Sequence, residues 1–78
     1  MITPAQSRAA RGWLDWSQAD LAGHAHVSLS TVRDFEKGKR VPIANNLDAM
    51  ERVIKGRGIE PLFDGERPAG IAVKHPGG

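Results

Sequence analysis

Cysteine is absent from the 78 residues, which excludes a disulfide scaffold, a Cys-ligated zinc finger and thiol catalysis. The interior must be held by packing alone. Long apolar runs are missing too: none approaches the ~18 residues of a membrane span. Met1-Ile2-Thr3-Pro4 has neither the basic nor the apolar region of a signal peptide, so a soluble cytoplasmic protein with no membrane partner is expected. No Gly-rich loop of the strand-to-helix phosphate-binding kind occurs. His24 and His26 have no cysteine to complete a four-ligand set; they read as surface histidines, and no metal site is expected. A chain this short has no room for a pocket that holds a substrate and orients a base, so no catalysis, cofactor or small-molecule ligand is expected.

What is present is a modest positive charge, unevenly placed. The chain carries 11 Lys/Arg against 9 Asp/Glu, and the excess lies in residues 1–57, where Arg33, Lys37, Lys39 and Arg40 cluster. The length allows one small domain. Such a domain removes only about 60 % of its unfolded surface from water, so added burial through a homodimer is expected from the outset.

Thr3-Pro4-Ala5-Gln6 is a helix start: Thr accepts from orphan backbone donors, Pro suits the first position, and Gln three residues after the cap reciprocates. This first helix runs to about Leu14. Ser17-Gln18-Ala19-Asp20 opens a short second helix with Leu21, Ala22 and Ala25 on one face. Ser28 then caps a third, with Val32, Phe35 and the stem of Glu36 inward and Ser30, Arg33, Asp34 and Lys37 outward. Lys37-Gly38-Lys39 closes it, with cations at the negative pole and Gly free for a left-handed cap. After Val41-Pro42, Asn45 or Asn46 is the expected cap of a fourth helix with an apolar stripe of Leu47, Met50, Val53 and Ile54. Beyond Gly58, Ile59 to Phe63 and Gly70 to Lys74 read as a hairpin around a polar segment with Gly65 and Pro68. Pro61 restricts its strand to an edge or a bulge, and His75-Pro76-Gly77-Gly78 is expected to fray.

Two short helices joined by a turn of three to four residues, the second with a polar outer face, form the helix-turn-helix arrangement. Small Ala22 sits where the helices cross, Val27 closes the turn, and Val32 and Phe35 plug the second helix into the core. The segment Trp16-Ser17-Gln18-Ala19-Asp20-Leu21-Ala22, with Val27-Ser28, Thr31-Val32, Phe35-Glu36 and Gly38, closely resembles the Cro/cI-like (Xre) family of DNA-binding domains. The resemblance runs through residues 3–57. It implies a mainly α fold: a four-helix helix-turn-helix domain over 1–57, with the unit at about 18–37, followed over 58–78 by a short C-terminal β-hairpin and tail, a candidate dimerisation element.

The resemblance also implies roles. Gln18 matches the family's phosphate-anchoring Gln and Ser28 the small hydroxyl residue opening the recognition helix, both on phosphates together with Lys37, Lys39 and Arg40. Leu29, Ser30, Arg33 and Asp34 match the positions that face base edges, and Arg11 and Glu36 match a structural ion pair. Two positions depart from the family pattern. Asp15 and His26 stand where Gly is usual and a positive φ is favoured, and both residue types enter the left-handed region more readily than most.

Leu29 lies about 60° from Val32 on a helix, so core-edge packing and contact with a thymine methyl both remain open. Trp13, Trp16 and Phe35 read as core rather than as stacking platforms for bases. The hairpin's Ile59, Leu62, Phe63, Ile71 and Val73 need cover, either by the chain's own fourth helix or by a partner subunit's edge, the second being favoured as the dimer contact. Function follows as a sequence-specific regulator of double-stranded DNA, a repressor binding a pseudo-palindromic operator as a homodimer. The competing reading is an antitoxin-like or antiactivator-like protein-interaction module.

Overall fold

A computed structural model describes residues 1–74, and the tail expected to fray, His75 to Gly78, lies outside the described residues. Helix α1 (Pro4–Leu14) starts from the expected reciprocal cap: the Thr3 hydroxyl accepts from the Gln6 N–H at 3.3 Å, and the Gln6 carbonyl oxygen accepts from the Thr3 N–H at 2.9 Å. Helix α2 (Gln18–Ala25) repeats the device with Ser17 and Asp20. Helix α3 (Leu29–Glu36) is capped by Ser28, whose hydroxyl accepts from the Thr31 N–H at 3.1 Å. Asp15 (φ 59°) and His26 (φ 57°) do adopt the left-handed conformation that ends α1 and α2.

Helix α4 (Ala44–Gly56) corrects the expected cap. Its N-cap is Ile43, which gives no side-chain hydrogen bond, and Asn45 and Asn46 fall inside the first turn. The Asn46 and Leu47 N–H groups already donate to the Ile43 carbonyl, at 3.0 and 3.1 Å. The helical register that brings Leu47, Met50 and Ile54 onto the core thus begins immediately after Pro42-Ile43.

Strands β1 (Ile59–Asp64) and β2 (Arg67–Val73) form one antiparallel pair. The second strand starts at Arg67 rather than Gly70, because the register shifts after Leu62↔Gly70 to Phe63↔Pro68 and leaves Ala69 as an extra residue. Pro61 fits without breaking the ladder. The Lys74 N–H donates to the Gly58 carbonyl, so alternation along the ladder puts the Pro61 nitrogen on the outer side.

The core gathers Leu21, Val32, Phe35, Met50 and Ile54 from three helices, and Ile59 of the hairpin joins them at 1 % exposure. Ile71 and Val73 pack against the same core. The Gln6 amide then fastens the hairpin to α1, donating to the Leu62 and Gly70 carbonyls at 2.8 and 3.1 Å. The hairpin is therefore a cover within its own chain, which removes Ile59 from any dimer surface and leaves Leu62 and Phe63 as its exposed large apolar residues.

Trp13 is not core: it is 63 % exposed, whereas Phe35 is buried and Trp16 half-buried. Trp13 follows Gln6 by two turns on the same side of α1. The hairpin is fastened to that side at Gln6, while Trp13 stays exposed.

Candidate nucleic-acid interface

Val32 and Phe35 anchor α3 in the core, so its opposite side is presented to solvent. Leu29, Ser30 and Arg33 are exposed and Asp34 is half-buried. At 43 % exposure Leu29 stands outside the core, which leaves it free to meet a partner. The Ser28 hydroxyl lies 3.1 Å from that of Ser30 and 2.7 Å from that of Thr31, a polar cluster at the positive pole of the helix.

The end of α3 is closed tightly. Gly38 takes φ 76°, and the Lys39 and Arg40 N–H groups turn back to the Asp34 carbonyl at 2.9 and 3.4 Å. Lys37, Lys39 and Arg40 project into solvent from this loop. Three cations thus sit at the C-terminal end of the exposed face, where they complement the helix dipole and attract polyanions.

Behind the face, a buried carboxylate ties three helices together. Glu36 of α3 accepts from Arg11 of α1 through Nη2 at 2.6 Å and Nε at 2.9 Å, from the fully buried Ser7 hydroxyl at 2.5 Å, and from the Gln18 amide of α2 at 3.1 Å. The Arg8 guanidinium donates to the Glu36 backbone carbonyl. Burial pushes the Glu36 carboxyl up, but the hydrogen bonds from Arg11, Ser7 and Gln18 outweigh it and hold the group below the usual carboxylate range. The expected Arg11–Glu36 contact is present in the geometry. Ser7 is an addition that the sequence pattern does not single out, although its spacing of four from Arg11 places both on one side of α1. Gln18 has a further role: half-buried at the start of α2, it commits one amide N–H to Glu36.

A second cluster is also invisible to sequence reading. His24 stacks on Trp16 with ring centroids 4.4 Å apart, and the Arg57 guanidinium lies 5.1 Å from the Trp16 centroid. These contacts join the α1–α2 turn to α2 and to the end of α4.

A family model described as helix-turn-helix matches residues 8–60, the span from the middle of α1 to the start of β1. The chain belongs to the Cro/cI-like helix-turn-helix family. Individual curated proteins give no match. As a Cro/cI-like domain the chain is a DNA-binding helix-turn-helix regulator. No helix among the described residues is long and apolar enough to cross a membrane.

Proposed function

We propose that the chain is a sequence-specific repressor that binds a pseudo-palindromic operator as a homodimer, with α3 in the major groove. The observation that carries this reading is the combination on α3 of exposed Ser30 and Arg33 and half-buried Asp34 with Lys37, Lys39 and Arg40 at its closing turn. Leu29, Ser30, Arg33 and Asp34 meet base edges; Ser28, Gln18 and the three cations meet phosphates. Gln18 retains a second amide N–H for a phosphate after bonding Glu36. Repression needs only occupancy of a promoter.

Footprinting on DNA flanking the chain's own gene tests the assignment, with protected half-sites one turn apart as the expected result. Arg is the commonest bidentate partner of guanine, so Arg33→Ala should cost about 1–3 kcal/mol on the protected site and relax preference at one base pair per half-site. Equal weakening on operator and random DNA would move Arg33 to the phosphate contacts. A protein-interaction module draws support from exposed Trp13, Leu62 and Phe63. Absence of any duplex binding together with a monomeric state in solution would favour it.

A further inference from the structure

Both strands of the hairpin are edges, and they are not equally protected. The Lys74 N–H donates to the Gly58 carbonyl, so the backbone groups of Ala72 and Gly70 face β1 and those of Ile71 and Val73 point away from it. On the other edge Pro61, opposite Ile71, offers no N–H and breaks the row of donors. No such break occurs from Ala69 to Val73. Outside the ladder, the backbones of Ile71 and Val73 have no hydrogen-bond partner among the described residues. The Gln6 amide takes the Leu62 and Gly70 carbonyls, which belong to the inner row.

The same strand is basic at both ends. Arg67 opens β2 and Lys74 follows it; both are exposed. Neither forms an ion pair with a carboxylate among the described residues, although Asp64 stands opposite Arg67 in the register. Between these two cations the strand carries no charge to fend off an incoming strand.

We propose that the outer edge of β2 receives an extended acidic segment of another protein, added to the sheet as a third strand. Backbone bonds to Ile71 and Val73 hold the segment, and carboxylates at its two ends meet Arg67 and Lys74. Charge decides against a second copy in this place. An antiparallel pairing of β2 with its own copy about Ile71 would bring Lys74 of each chain to the Arg67 end of the other, where like charges repel. The site uses the hairpin alone and is independent of how α3 meets DNA.

The test uses the full chain, amide exchange read by NMR, and an acetylated peptide, Glu-Val-Thr-Val-Thr-Val-Glu, against a counterpart with Lys in place of both Glu. In the dilute free chain the Ile71 and Val73 amides should exchange quickly, and those of Gly70 and Ala72 slowly. The acidic peptide should slow Ile71 and Val73 and bind about fivefold more tightly than the basic one at low salt, as two exposed ion pairs allow. R67E with K74E should reverse that preference. Both positions are exposed, so the fold should persist in circular dichroism, and K74E alone, which should narrow the preference, stands in if the double variant melts early. Slow exchange of Ile71 and Val73 in the dilute free chain would overturn the proposal, because the edge would already be covered. So would exchange that neither peptide changes, or equal affinity for the two. Protection that grows with chain concentration in the absence of peptide would assign the edge to a second copy instead.

Discussion

Glu36 shows what one residue does in so small a fold. Its carboxylate is almost inaccessible and holds side chains from α1 and α2 against α3, so the orientation of α3 depends on it. The net worth of a buried ion pair is small, but removing one partner strands the other. Arg11→Ala and Glu36→Ala should each destabilise by about 3 kcal/mol, and the double variant by less than their sum. Strict additivity in a double-mutant cycle would show that the two side chains act independently. A pH dependence follows from the depressed Glu36 value. The folded state binds fewer protons there than the unfolded state, so stability rises with pH. The pair's contribution is complete above the ordinary carboxylate value, about 4.3, and fades as pH falls through the lower folded value. In thermal melts the gap between the unaltered chain and Glu36→Gln should therefore be widest near neutrality and shrink in acid. A gap that holds constant down to about pH 3 would exclude Glu36 ionisation as its source.

At the scale of elements, the closing loop of α3 and the turn between α2 and α3 lend themselves to separate tests. Lys37, Lys39 and Arg40 are exposed and contribute charge rather than packing, so replacing all three with Ala should weaken every duplex similarly. It should also flatten the salt dependence by about 0.9 for each phosphate that is no longer neutralised. A slope identical to that of the unaltered chain would remove the loop from the interface. His26 holds a left-handed conformation that costs a β-carbon-bearing residue roughly 1–2 kcal/mol. His26→Gly should raise the melting temperature, and His26→Val should lower it. The first three helices are legible in the sequence because Thr3, Ser17 and Ser28 announce their starts with local chemistry. The α4 start is not, because Ile43 caps through its backbone alone and the register is set by the core contacts of Leu47 and Met50. The α3 face is readable from periodicity, whereas the Ser7–Glu36–Gln18 network and the Trp16–His24 stack join residues that only the folded chain brings together.

At the scale of the whole molecule, the proposed homodimer needs a surface on which two copies meet. The hairpin's inner side is spent on its own chain through Ile59, Ile71 and Val73, so truncation at Gly58 would open the core and strand the buried Gln6 amide. Point substitution is the cleaner test. Leu62 and Phe63 remain 40 % and 42 % exposed, and Trp13 stands on the same side of α1 that carries the hairpin. Apolar surface of this kind fits a contact between copies. Replacing Leu62 and Phe63 with Ser removes little from the core, so helical content should persist. Sedimentation should then report a monomer. Operator affinity should fall by about 100-fold or more as the second half-site ceases to be held at high effective concentration, while binding to random duplex changes far less. A variant that still sediments as a dimer would place the interface elsewhere and leave the hairpin as a cover for α1 and α4 alone.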